Sequence, residues 1–243
     1  MKLSIKSSSF FRSASLAYLL LFVISTPSLR AANEPLHYLP DGKPNAIALL
    51  APPPLPDSPE QAADLAEVRA VCHAASSNDV TIAFTEKKFS VFNFTPAIGT
   101  FFQSNTLPQT AAFFERVQKD AETVTDNAKD FYKRPRPFVL DPGLASGKLE
   151  KSFSYPSGHS TESMVLALVL ADLFPDRRDA IIADARTIGW HRVEIARHYP
   201  TDIYAGHVLA QAIVRQMKKS DAFQKDFAGA KAEIAVAQQA AKN

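Results

Sequence analysis

The sequence predicts an all-α fold, and three observations carry that expectation. No stretch alternates apolar and polar residues at period two for long enough to argue a sheet. From Thr106 to about Lys133, Leu107, Ala111, Phe114, Val117, Ala121, Val124, Ala128 and Phe131 recur at three- and four-residue spacing, the period of an amphipathic helix. Met164 to Phe174 (MVLALVLADLF) is apolar on nearly every side, as in a helix buried all round, and is too short to span a bilayer.

The elements follow in order. Lys2, Lys6 and Arg12 precede an apolar run from Ala14 to Ser25, with Pro27 and small residues near Ser28 to Ala32; residues 1–32 read as a secretory signal peptide, with an uncleaved anchor as the alternative. The expected location is therefore periplasmic or secreted. The formal +2 of the chain becomes −2 once the leader's four basic residues (Lys2, Lys6, Arg12, Arg30) are set aside, so the charge gives no support to nucleic-acid binding. Residues 33–57, ending in Pro52-Pro53-Pro54 and Pro56, predict an extended segment on the surface. Residues 58–243 form a single helical domain, long enough to bury a substantial core.

Within that domain, Ser58-Pro59-Glu60-Gln61 predicts a helix start with a capping-box glutamine, and Leu65, Val68 and Cys72 form its apolar face. Cys72 is the one cysteine, which excludes an intrachain disulfide; it reads as a small hydrophobe, and His73 as a surface residue. Residues 79–104 hold Phe84, Phe89, Phe92, Phe94, Phe101 and Phe102 in one or two short helices broken near Pro96 and Gly99, a set suited to core packing or to lining a pocket. Pro135 stops the helix that begins near Thr106. A second strong helix starts past Gly158. A third, capped by Asp176, reaches about Ala196 with Ile181, Ile182, Ala185 and Ile188 inward, and a fourth, capped by Thr201, begins at Asp202. The Ala-rich tail carries Phe223, Phe227 and Ile234 at helical spacing.

Three islands between Lys129 and Asp202 carry the chemistry. In the first, Lys129-x6-Arg136-Pro137, prolines flank Arg136 and fix the backbone, so its guanidinium fork and the Lys129 ammonium can hold one anion; Lys133 and Arg134 read as solvated basic residues. The second, Pro156-Ser157-Gly158-His159, stands at a helix start, where unpaired N–H groups, the Ser157 hydroxyl and a close backbone approach at Gly158 suit an oxyanion; alone it could be only a proline turn with a serine cap. The third, Arg192-x5-His198-x3-Asp202, puts a carboxylate four residues after a histidine. It can accept from imidazole Nδ1–H and leave Nε2 free, unless the pair is merely a helix cap beside a surface histidine. Together these groups suit phosphoryl transfer, which needs neutralised oxygens, an in-line nucleophile and a proton for the leaving oxygen. No HxxxH, CxxC or acidic triad suggests a metal, and no glycine-rich phosphate loop is present.

The order K-x6-RP, PSGH, R-x5-H-x3-D resembles the signature of the type-2 phosphatidic acid phosphatase superfamily, whose soluble secreted members are the class A bacterial non-specific acid phosphatases and whose site is shared by vanadium haloperoxidases. The resemblance covers residues 129–202. It implies an acid phosphatase fold in which His198 forms a phosphohistidine, Asp202 orients it, and His159 protonates the leaving alcohol and then activates water. Lys129, Arg136, Ser157, Gly158 and Arg192 would hold the phosphoryl oxygens. It implies small phosphate esters as substrates and no cofactor, and a homo-oligomer stays open; the lack of a metal-ligand pattern predicts activity that survives EDTA. The family usually has serine before the third motif's arginine, where this chain has His191, a change able to alter phosphate contacts or the pH profile. His37 and His207 lie outside the motifs. A haloperoxidase, a lipid phosphate or diphosphate phosphatase and a non-catalytic phosphate binder stand as alternatives, although the part after the leader lacks an apolar run of 18 residues.

Overall fold

The structure, a computed structural model, describes residues 36–241, so the expected leader lies outside the described residues. The elements are α1 (Ala46–Leu49), α2 (Pro59–Ala74), α3 (Ser77–Thr85), α4 (Thr95–Ile98), α5 (Pro108–Tyr132), α6 (Pro137–Leu140), α7 (Gly158–Leu173), α8 (Arg178–Glu194), α9 (Pro200–Met217) and α10 (Asp221–Ala240), with short 3-10 turns between some of them. No strand occurs among the described residues. The fold is all-α.

Helix α7 is the axis of the domain because it has no polar face beyond its first turns. Val165, Leu166, Ala167, Val169 and Leu170 have no exposed surface. Helices α5, α8 and α9 pack around it, and α10 packs on α5. The N-terminal end of α7 is where its neighbours come closest. A Cβ on Gly206 of α9 would sit 3.0 Å from the Ser160 side chain and 3.1 Å from the Ser157 carbonyl, and one on Gly189 of α8 would sit 3.2 Å from Ser160 Oγ. The two glycines thus bring both helices against the first turn of α7, beside Ser157 and His159.

Helix α5 buries the predicted stripe, Phe113, Phe114, Val117, Ala121, Val124 and Ala128, and ends where Lys133 turns left-handed at φ 51°. Asp120 interrupts that stripe and is fully buried. Its carboxylate accepts from the backbone N–H groups of His37 and Tyr38, each at 2.8 Å. The lead-in segment is therefore clamped into the core rather than laid on the surface. Tyr38 packs edge-on against Phe223 at 5.5 Å, and its hydroxyl donates to Asp226 at 2.7 Å.

The phenylalanine-rich region divides the same way. Phe94 and Phe102 are fully buried, with Phe102 against Phe92 and Phe174, and each ring contributes about 1.5–3 kcal/mol by leaving water. Pro96 lies within α4 instead of breaking it, and Gly99, at φ 135°, ends that helix. Phe223 and Ile234 bury one face of α10.

Three capping expectations fail. Ser58 does cap α2, but Gln61 turns its amide oxygen to Arg134 rather than back to the cap. Asp176 sits in a 3-10 turn, and α8 begins at Arg178 without a side-chain cap. Helix α9 starts at Pro200, so Thr201 lies in its first turn and its hydroxyl binds Asp64 and Arg134. In two of the three, a buried ion network competes for the capping side chain and wins.

Candidate active site

The connection between α8 and α9 delivers His198 to the interior. Its backbone N–H and that of Arg197 both donate to the Arg192 carbonyl, which folds the chain back on the end of α8. Asp202 follows on the first turn of α9, and His198 Nδ1 lies 3.3 Å from its Oδ2. The other ring nitrogen, Nε2, is 3.2 Å from Arg136 Nη1. A guanidinium can only donate, so Nε2 must present its lone pair and Nδ1 must carry the proton. The imidazole is therefore neutral, in the tautomer whose Nε2 can attack.

Asp202 is heavily committed. Besides His198 it accepts from Tyr199 N at 3.0 Å, Ser154 Oγ at 2.5 Å and Arg134 Nη1 at 2.6 Å. Arg134 corrects the expectation of a solvated basic residue: it is 4 % exposed, reaches Asp64 Oδ2 at 2.7 Å, and stacks 3.9 Å over the Tyr199 ring. The backbone turns after the left-handed Lys133, so adjacent side chains diverge. Lys133 remains at the surface and Arg134 goes inward to hold the carboxylate behind His198.

Arg136 spends its fork on the loop between α6 and α7, donating from Nε to the Ser152 carbonyl at 2.8 Å and from Nη2 to Ser152 Oγ at 3.0 Å. Nη1 also donates to the Arg197 carbonyl. No carboxylate pairs with Arg136 among the described residues. Lys129, on the last turn of α5, is nearly buried, and its ammonium lies 3.1 Å from where a Cβ on Gly158 would be. Only glycine leaves that space open. Ser157 caps α7 through Ser160 N, so the N-terminal dipole of a long helix points at the same place.

On that first turn, His159 Nε2 is 3.2 Å from the Glu86 carbonyl oxygen. A carbonyl only accepts, so Nε2 carries the hydrogen and Nδ1 is the free nitrogen. His159 lies 5.4 Å from the Phe89 ring and lines a groove of about 400 Å³ with Phe89, Gln118 and Glu162. His198, 3 % exposed, does not line that groove. The two rings are nonetheless close enough for the charge of His198 to disfavour that of His159. Arg192 acts on both, as does Lys129.

Arg192 is 2 % exposed, donating to the Ala83 carbonyl at 3.0 Å and to Glu150 Oε1 at 3.1 Å. The other Glu150 oxygen lies 2.6 Å from Arg197 Nε, so one carboxylate spans two buried guanidinium groups. His191, where the family usually has serine, is buried against Glu86 with Nδ1 to Oε2 at 2.8 Å.

Positive charge dominates this interior. Burial, then Arg136, Lys129 and Arg192, push the His198 imidazolium well below its usual range. Burial, then Arg192 and His198, do the same to His159. Burial also lowers Arg136, and takes Arg192 down to about 10. A pocket that resists protonation of two imidazoles is suited to a ligand bearing negative charge, whose arrival reverses the penalty. Glu162, one turn after His159, is pushed up to about 7, chiefly by burial. No group of three or more His, Cys, Asp or Glu residues able to hold a metal occurs among the described residues.

The structure thus brings Lys129, Arg136, Ser157, Gly158, His159, Arg192, His198 and Asp202 to the facing ends of α5, α7, α8 and α9. The sequence reading missed Asp64, Glu86, Arg134, Glu150, Ser154 and Glu162. None of them carries a local signal in the sequence: the inward turn of Arg134 is set by the left-handed backbone at Lys133.

This arrangement coincides with a known family. The profile of the PAP2 superfamily matches residues 120–222, which include every residue of the three islands. Those residues carry a PAP2 superfamily domain. It is 29% identical over 230 residues to a protein named non-specific acid phosphatase from Salmonella typhi, covering 89% of this chain and 92% of that one. It is 28% identical over 197 residues to an acid phosphatase of Zymomonas mobilis, covering 77% and 75%. A 53-residue segment is 47% identical to the lipid A 1-phosphatase of Rhizobium etli, over 22% and 23% of the two chains. The superfamily read from the three motifs is borne out. Among the described residues no helix is long and apolar enough to cross a membrane.

Proposed function

We propose that this PAP2 protein is a secreted or periplasmic acid phosphatase that hydrolyses phosphate monoesters through a phosphohistidine. The observation that carries the reading is the orientation of His198: Nδ1–H held by Asp202, Nε2 lone pair turned toward Arg136 in a cationic interior. The similarity to acid phosphatases over most of the chain supports the same reaction.

In the first step His198 Nε2 attacks phosphorus as the bond to the leaving oxygen breaks. Lys129, Arg136, Arg192, the Ser157 hydroxyl and the Gly158 N–H take up charge on the three other oxygens. Asp202, itself pinned by Arg134, stabilises the positive charge that the imidazole acquires. Protonated His159 gives its Nδ1 proton to the departing alkoxide while Nε2–H stays on the Glu86 carbonyl. In the second step neutral His159 removes a proton from water, the water oxygen bonds to phosphorus, and the P–N bond breaks to return His198. Glu150, spanning Arg192 and Arg197, must yield Arg192 for the phosphoryl group to bind fully.

Steady-state phosphate release from an aryl phosphate tests the reading. Inhibition by vanadate, retention of activity in EDTA and complete loss in His198→Ala are expected. Wild-type protein without hydrolysis, or a His198→Ala variant with undiminished hydrolysis, would contradict it.

A further inference from the structure

The residue that departs from the family pattern is tied to the acid side of the site. His191 and Arg192 are consecutive on the last turns of α8, and both grip the end of α3. Arg192 Nη1 donates to the Ala83 carbonyl at 3.0 Å, and His191 Nδ1 meets Glu86 Oε2 at 2.8 Å. The backbone N–H of Glu86 closes α3 by donating to the Ile82 and Phe84 carbonyls. Its own carbonyl is the acceptor for His159 Nε2. Three residues further on, Phe89 lies against the His159 ring.

We propose that the buried Glu86–His191 pair is a positioning device for the leaving-group acid, holding the Glu86 carbonyl where it orients the His159 ring. This rests on the reading of His159 as that acid. Both partners are under a tenth exposed, so removing one leaves the other buried without its counter-charge, and the turn at Glu86 has to move. His159 has no other hydrogen-bond partner among the described residues, so its ring follows that turn. A shift of about 1 Å in a catalytic group can cost on the order of 10²-fold in rate. The nucleophile would not feel it, because none of the groups bonded to His198 belongs to this segment.

The test compares leaving groups. In His191→Ala, kcat on an alkyl phosphate, whose alkoxide must be protonated as it leaves, should fall on the order of 10²-fold. On nitrophenyl phosphate, whose leaving group departs as a stable anion, kcat should change only a few-fold, and vanadate inhibition should not change. His191→Asn, which keeps an N–H donor at the Nδ1 position, should recover most of the alkyl rate. Glu86→Gln, which keeps an acceptor but not the charge, should fall between the two and serves if His191→Ala folds poorly in thermal melts. Equal losses on both substrates, or an alkyl rate that Asn does not restore, would overturn the positioning role. Measured alongside, His159→Ala should lose rate mainly on the alkyl ester. If it penalises both esters equally, the acid assignment itself fails and takes this inference with it.

Discussion

The two imidazoles of the site are held in opposite ways. His198 is set by side chains on both nitrogens and backed by a second layer: Asp202 on Nδ1, Arg136 on Nε2, then Arg134 and Ser154 fixing Asp202. His159 is half-buried on the wall of a groove and is held by one backbone carbonyl from a distant turn. A nucleophile needs one nitrogen, one tautomer and one line of attack, so rigidity favours it. An acid that later acts as a base must gain and lose a proton while serving alkoxide and then water. A single neutral acceptor lets it do both, because the carbonyl takes Nε2–H in either charge state.

Breaking the rigid half should have the largest effect. His198→Ala removes the atom that bonds to phosphorus, and kcat is expected to fall on the order of 10⁴-fold or more whatever the leaving group, by stopped assays on folded protein. Asp202→Asn leaves Arg134 and His198 facing an amide, loses control of the tautomer, and should cost on the order of 10³-fold with both alkyl and aryl esters. Arg134→Met tests the layer behind. It leaves Asp64 and Asp202 buried without their shared cation, so unfolding in denaturant should show a loss of about 3–5 kcal/mol. A change below about 1 kcal/mol would mean that the network is not the support the geometry describes.

Protonation sharpens the comparison further. With both rings pushed down by burial and nearby cations, His198 stays neutral far into acid, while His159 in the free enzyme is protonated only there. The alkaline limb of kcat/KM should therefore lie on the acid side of ~6.5. Bound phosphate brings negative charge beside Arg192 and raises His159, so the same limb in kcat should lie at higher pH. Stability follows the same groups. The unfolded chain binds more protons than the fold at His159 and His198, so the unliganded protein should lose stability as pH falls below ~6.5. His191, pushed up chiefly by its bond to Glu86, and Glu162, pushed up to about 7 by burial, work in the opposite direction, while His207, lowered by burial, adds to the first two. Inorganic phosphate should restore part of the loss, read as a rise in Tm.

What was legible beforehand tracks sequence distance. The long helices were readable, α5 because it buries a periodic face and α7 because it is apolar all round, and the His198–Asp202 relation because four residues span one turn; the single-turn helices α1 and α6 were not. Arg134 was not, since its neighbours Lys133 and Arg136 have opposite fates and only the left-handed turn at Lys133 decides which side chain goes inward. Glu86 was not, because it meets His191 across 105 residues and offers His159 a carbonyl, which every residue has. Asp120 interrupts the α5 stripe, and its partners, the backbone N–H groups of residues 37 and 38, lie more than 80 positions away. In each case the missing information was a partner, brought by tertiary packing, for a group that could not be buried alone.

The claim that His198 alone makes the bond to phosphorus is tested most directly by rapid quenching with a radiolabelled aryl phosphate, followed by peptide mapping. Label on the peptide that carries residue 198, stable in alkali, released in acid and absent from His198→Ala, is the expected result. Turnover without any labelled protein, or label on residue 159, would contradict the account.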